Sequence, residues 1–178
     1  FFVGEYSGEN DDERIAACLA EAKRQKGSTV VFRGRNFVIS RAVEVGSDMT
    51  ILVDGCTIKQ ADGTFDNVFR GANIEIDPEK PFADALSVTP LKNVKILGRG
   101  TAVIEGCGKN RRDYHPVLKK EQAMTGDFWG WRTYQMLFCN VKNLEIAGLT
   151  FFKTRCWCVT IDLSTDVHVH DLSIFSTV

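Results

Sequence analysis

The chain has 178 residues, 44% of them apolar and 25% charged, with 22 basic against 23 acidic side chains. That length is one domain's worth, the apolar share supports a packed core, and the charged share argues against disorder. A net charge of −1 recommends neither nucleic acid nor a membrane surface as partner, and no apolar run approaches the ~20 residues that span a bilayer.

The first residues, Phe1-Phe2-Val3-Gly4-Glu5, lack the basic and long apolar regions of a signal peptide, which leaves the compartment open. Residues 9–26 read as the one helix. Asn10 with Glu13 three positions later fits a capping box, and Ile15, Cys18, Leu19 and Ala22 form an apolar stripe at i, i+3, i+4, i+7. Lys23, Arg24 and Lys26 crowd its end, and Gly27 is placed as the terminator. Residues 1–27 are thus expected to be an N-terminal segment and capping helix, covering the first apolar layer of the β-rich remainder.

From Ser28 onward the chain is a series of short β-runs broken at turns. Thr29–Phe32 and Phe37–Ile39 bracket Arg33-Gly34-Arg35-Asn36; Met49–Val53 ends at Asp54-Gly55; Asn93–Leu97 ends at Gly98-Arg99-Gly100. The clearest signal lies at 143–175, where one unit is written twice. Asn143-Leu144-Glu145-Ile146 through Phe152 is matched 23 positions later by Asp166-Val167-His168-Val169 through Phe175. A strand-turn-strand unit repeating every 20–50 residues is the mark of a solenoid, and a period in the low twenties without helices points to a parallel β-helix. Counted between equivalent Asn/Asp positions, Asp48 to Asn93 fits two turns of about 22 residues, and Asn93 to Asn143 fits two turns plus an insertion. The expectation is five or six turns over 28–178. A 23-residue step also predicts His168 over Glu145 as a charge pair, Asp166 over Asn143 as a turn ladder, and Trp157 over Tyr134 as an aromatic stack.

Two stretches break the rhythm. Residues 61–90 carry Pro78, Pro81 and Pro90 and are expected to bulge around one strand, Ala72–Ile76. Residues 106–132 combine basic groups with Phe128, Trp129, Trp131 and Arg132, a mixture suited to an anionic sugar polymer through ion pairs and ring stacking. The cysteines, at 18, 56, 107, 139, 156 and 158, form no C-x-x-C and no zinc spacing, so buried free thiols are expected.

Gly98-Arg99-Gly100-Thr101 leading to Ile104-Glu105-Gly106-Cys107-Gly108, then Arg132 with Leu137-Phe138-Cys139-Asn140-Val141-Lys142-Asn143, then Thr154 to Trp157 and on to Val167, resemble in order and spacing the segments of glycoside hydrolase family 28. Arg155 stands where that family commonly has Pro, Thr160 where it often has His, and Glu105 where Asp is usual. The resemblance covers about residues 28–178. It implies an all-β, right-handed single-stranded parallel β-helix of the pectin-lyase-like type, inverting hydrolysis of pectin-type uronic-acid or rhamnose glycans, and an extracellular or periplasmic setting. The family's catalytic signature, Asn-x-Asp, Asp-Asp, Gly-His-Gly and Arg-x-Lys, is expected past Val178, so no catalytic residue is carried over. Arg155, Trp157 and Thr160 fall where the family's cleft runs and are the substrate-binding candidates, with Trp129, Trp131 and Arg132.

Other chemistry is thin. Asp162 and Asp166 are the nearest acidic pair, but Asp166 matches a turn residue of the preceding repeat, so both are expected to be turn and surface acids. Asp166, His168 and His170 alternate like metal ligands, yet the preceding repeat has Asn143, Glu145 and Ala147 there, so no metal is expected. No Ser-His-Asp set, phosphate loop or dinucleotide fingerprint appears, and no cofactor is expected. The partner expected is an acidic polysaccharide or oligosaccharide, with a non-catalytic binding β-helix of the tailspike or adhesin type and a polysaccharide lyase as alternatives. The apolar run Leu172–Phe175 is expected to be covered by a further chain segment or a subunit.

Overall fold

The computed structural model describes residues 1–64, 66–75, 88–108, 134–154 and 157–176. They form one helix, α1 (Asp11–Ala22), a 3-10 turn at Val3–Glu5, and fourteen short strands. In chain order the strands are β1 (Ser28–Arg33), β2 (Phe37–Ile39), β3 (Val43–Val45), β4 (Met49–Asp54), β5 (Thr57–Gln60), β6 (Phe69–Gly71) and β7 (Leu91–Arg99). They continue as β8 (Val103–Glu105), β9 (Met136–Cys139), β10 (Val141–Ala147), β11 (Thr150–Phe152), β12 (Val159–Asp162), β13 (Thr165–His170) and β14 (Ser173–Phe175). Strand pairing joins every third strand into one of three sheets: β1-β4-β7-β10-β13, β2-β5-β8-β11-β14 and β3-β6-β9-β12. Every pair is parallel, so the strands stand in five layers.

The layer count corrects the spacing arithmetic. β4 pairs directly with β7, with Met49 against Val94, and β7 with β10, with Leu91 against Val141. The steps of 45 and 50 residues are therefore each one layer carrying an excursion, not two turns. The strand expected at Ala72–Ile76 is also displaced. Ala72 and Asn73 form a turn, Ile74 and Glu75 are not strand, and the strand of this stretch is β6, just before them.

In-register stacking places like on like. Val30, Ile51, Ile96 and Ile146 form one column at 0% exposure, which ends on Val169 at 43%. Ile58, Ile104 and Phe151, likewise 0% exposed, end on Ile174 at 53%. With Phe37 from β2, Val43 and Val45 from β3, Phe69 from β6 and Met136 and Phe138 from β9, these columns form one contiguous core shared by all three sheets.

At the start of the first sheet, five equivalent residues adopt the left-handed conformation: Gly27 and Asp48 just before β1 and β4, and Asn93, Asn143 and Asp166 near the beginnings of β7, β10 and β13, with φ of 73°, 57°, 54°, 62° and 54°. Only glycine, asparagine and aspartate visit this region cheaply, which explains the residue choice. Asn93 donates its Nδ2 to Asp48 Oδ1 at 2.6 Å, and Asn143 donates to Asn93 Oδ1 at 2.9 Å. A hydrogen-bonded ladder thus joins Asp48, Asn93 and Asn143; Asp166 stacks over Asn143 by register, but no hydrogen bond forms the expected rung between those two. Gly27 belongs to it rather than to the helix end, since its N–H donates to Asp48 O at 2.9 Å, while α1 stops at Ala22 through tightened turns from Arg24 and Gln25.

The helix caps the first layer. Asn10 Oδ1 accepts from Glu13 N–H at 3.0 Å, and Glu13 reaches back to Glu9 N–H at 2.8 Å, one residue beyond a reciprocal capping box. Ile15, Cys18, Leu19 and Ala22 are buried. Asp11 accepts from the N–H of Val38 and from Arg35, and Asp12 from the N–H and hydroxyl of Ser40, so the Val38 donor on the open edge of β2 and that of Ser40 just beyond the strand are satisfied. The edge of β1 is closed by the N-terminal residues, with Phe1 N donating to Thr29 O and Val31 N to Phe1 O.

Ile96→Ala should cost about 2–5 kcal/mol by leaving a void in a closed column, whereas Val169→Ala should cost roughly 1 kcal/mol or less because its side chain is half open to water. Urea denaturation of both variants checks the contrast. Burial raises the Asp11 pKa, but Arg35, the Val38 N–H and Arg14 outweigh it and hold the carboxyl below 3.8. A depressed folded pKa stabilises above the unfolded value and is lost as pH falls through the folded one. The stability gap between the native chain and Asp11→Asn should therefore be full at neutral pH and close below 3.8; a gap that widened in acid would contradict this.

Candidate functional site

β12 pairs with β9, Val159 against Met136, and the same register two residues upstream sets Trp157 on Tyr134. Their rings stack at 5.3 Å with 25° between planes, as the 23-residue step predicts. Tyr134 is buried, while Trp157 is 58% exposed and shows a face to solvent. The strip that carries it is pinned from below by Gln135, itself buried. Gln135 Nε2 donates to Phe152 O at 2.7 Å, and its Oε1 accepts from Thr154 Oγ1 at 2.8 Å and from the Cys158 thiol at 3.5 Å. Burial pushes the Cys158 thiol up to about 11, so it is a packed donor and not a nucleophile. Thr160 lies on β12 against Leu137; its Oγ1 is buried and makes no hydrogen bond among the described residues. Trp157 and Thr160 thus share one strip, one as an exposed ring and the other as a half-buried side chain. Arg155, Trp129, Trp131 and Arg132 lie outside the described residues.

The acids resolve into structural roles. Asp162 ends β12 and accepts from Leu163 N–H at 2.9 Å, in a turn where Ser164 Oγ donates to Asp162 O and accepts from Val141 N–H. Asp166 is a ladder residue. Glu105 sits between Lys153 at 2.6 Å and Lys59 at 3.5 Å, and the hydrogen bond from Lys153, more than the nearby Lys59, holds its carboxyl below the usual range. Glu145 stacks on His168 by register, but its ion partners are Lys95 at 2.6 Å and His170 at 3.7 Å. The expected Glu145–His168 charge pair is absent because the longer lysine reaches Glu145 from the layer on its other side. His170 is also held by Asp171 at 2.8 Å, and that hydrogen bond leads in raising its pKa.

Among the described residues one carboxyl is pushed upward, that of Asp66, through burial. Each of its oxygens is already committed: Oδ1 to Asn67 N–H and Arg70, Oδ2 to Ala42 N–H. Arg70, buried, also binds Glu44 at 2.6 Å. A general acid needs both a raised pKa and an oxygen free to meet the substrate, and among the described residues no carboxylate combines the two. No group of three His, Cys, Asp or Glu among them is placed to hold a metal. Among the described residues Cys18, Cys56 and Cys158 are free thiols; Cys156 is outside the described residues. A groove of about 310 Å³ opens between α1 and the third sheet, lined by Ile15, Leu19, Lys23, Arg41, Glu44 and Arg70, on elements that do not carry Trp157.

The buried charge cluster and the Gln135 clamp are invisible to periodicity. The one trace of the cluster in the sequence is Phe69-Arg70-Gly71, a run in which an arginine interrupts apolar residues and all three are buried. No protein-family model, no curated protein and no solved structure matches the chain.

Arg70→Ala should destabilise by about 3–5 kcal/mol, since it leaves the Asp66 carboxylate buried without its counter-charge. The double variant Arg70→Ala, Asp66→Asn should recover part of that loss in a denaturant titration.

Proposed function

We propose that residues 1–178 are the N-terminal part of a polysaccharide-degrading glycoside hydrolase, folded as a right-handed single-stranded parallel β-helix capped by α1. The substrate class is pectin-type glycan, uronic acid and rhamnose. The reaction is inverting hydrolysis, with the two catalytic Asp residues outside this chain, one protonating the leaving oxygen and one activating water across a gap of roughly 6.5–9.5 Å. The observation that carries the reading is the exposed face of Trp157, stacked on Tyr134 at the point in the chain where the motif resemblance sets the cleft. A flat aromatic held rigid from beneath is a platform for the apolar face of a sugar ring. The order of three sheets, each built from every third strand, supports the coil. Arg155 would face a uronic carboxylate, and the setting is extracellular or periplasmic.

A non-catalytic glycan-binding β-helix is the second reading, favoured by the full commitment of Asp66 and the turn role of Asp162. A lyase is the third; it would yield an unsaturated product absorbing in the ultraviolet.

Titration of the 178-residue chain with oligogalacturonate should show binding that Trp157→Ala weakens about ten-fold, equivalent to ~1.4 kcal/mol. The same chain should release no reducing sugar from polygalacturonate or rhamnogalacturonan. Unchanged affinity in the variant sinks the platform, and turnover by the chain sinks the placement of the catalytic pair.

A further inference from the structure

The ladder of left-handed residues has a direction. Each asparagine gives its Nδ2 to the oxygen of the layer before it, from Asn143 to Asn93 and from Asn93 to Asp48. The run begins on an aspartate, and the residue before Asp48 is Gly27, which has no side chain to receive anything. Aspartate suits that place, because an ionised carboxylate only accepts. Asp166 is the next residue of the ladder, with the same backbone conformation at φ 54°. Asn143 gives one Nδ2 hydrogen to Asn93; its Oδ1 is the atom a next layer would serve in the same direction, and an ionised Asp166 has no hydrogen to donate to it. No hydrogen bond joins the two, nor does Asp166 have a side-chain partner elsewhere among the described residues. It therefore ends no run and has the chemistry of a residue that begins one.

The surrounding layer says the same in apolar terms. Columns that are closed through four layers stand open at Val167, Val169 and Ile174, and β13 and β14 are edges of their sheets. At the opposite end, Asp11, Asp12 and Phe1 close the edges of β2 and β1.

We infer that β13 and β14 carry a sixth layer of parallel strands, supplied by polypeptide continuing the same coil, whose residue over Asp166 is an asparagine donating to its carboxylate. A second copy of the chain cannot serve. Its first layer offers Gly27 at the ladder and edges occupied by its own N-terminal residues, and its last offers another Asp166, carboxylate against carboxylate. The inference rests on the coiled reading of the fold proposed above but not on the glycan, and its readout is independent of binding.

The test extends the 178-residue chain with a layer made from its own residues: 156–165 followed by 143–152. This sets an asparagine 23 positions after Asp166, the step that separates Lys142 from Thr165. Amide exchange at Val167 and Val169 should slow at least ten-fold in the extended chain, and changing the appended asparagine to aspartate should remove most of that slowing. Equal exchange with and without the extra layer overturns the inference, as does equal slowing by the asparagine and aspartate versions. An unextended chain that sediments as a dimer with β13 already protected overturns it in favour of a second copy. Should the extensions not fold, Asp166→Asn in the 178-residue chain still decides. An asparagine at that position can give Asn143 its missing hydrogen, so the Tm should rise; an unchanged or lower Tm overturns the ladder argument.

Discussion

Parallel pairing at roughly 4.8 Å between strands is the constraint on which the rest of this structure depends. Once each strand is registered against its counterpart a layer away, every side chain is forced onto its equivalent, and the only stable residue choices are those that tolerate their own kind as neighbours. Aliphatics do so by packing, which yields the Val30-Ile51-Ile96-Ile146 column. Asparagines do so by donating to one neighbour and accepting from the other. Charges do not, and they alternate: Lys59, Glu105 and Lys153 on one outer face, Lys95 and Glu145 on another. These exposed pairs add little stability each, but they remove the like-charge repulsion that stacking would otherwise impose.

The same constraint explains why so much of the chain's polar chemistry is structural. Asp11 and Asp12 terminate a sheet edge, Asp48, Asn93 and Asn143 take up a costly backbone conformation at the start of the first sheet, and Asp66 neutralises an arginine buried by the third sheet. Among the described residues, Trp157 keeps an aromatic face open to solvent. In this chain the parallel stack acts as a frame that displays Trp157.

Where the chain repeats without interruption, its sequence is transparent. The 143–175 unit is legible because layers four and five follow one another with no insertion, so the alternation of Leu144-Ile146 and Val167-Val169 and the Asn143/Asp166 match survive intact. The step counts at Asp48, Asn93 and Asn143 mislead because dividing a spacing by a period cannot distinguish two short turns from one long one. β6 is hard to see in the sequence because its three residues are all buried and do not alternate. Ala72-Asn73, which does look like the start of a strand, is a turn whose Asn73 side chain donates to Cys139 O at 2.9 Å. The partner of Glu145 differs from the expected one because register fixes which residues are opposite, whereas side-chain length decides which ones meet. Gly98 shows the reverse: a Cβ there would sit 2.1 Å from the carbonyl oxygen of Gly148, a close contact between layers that the glycine pattern signals without disclosing its cause.

The unequal lengths of the layers have a consequence of their own. Steps of 21, 45, 50 and 23 residues all close onto the same register, and the entropic cost of bringing two chain ends together rises by only about 0.6 kcal/mol for each doubling of the length between them. Excursion length is thus close to a free variable of this architecture: segments between β6 and β7, or between β8 and β9, can lengthen or be exchanged while the ladder and the apolar columns stay as they are. Those segments can change on a frame whose own sequence is held fixed by the need of each layer to match the next.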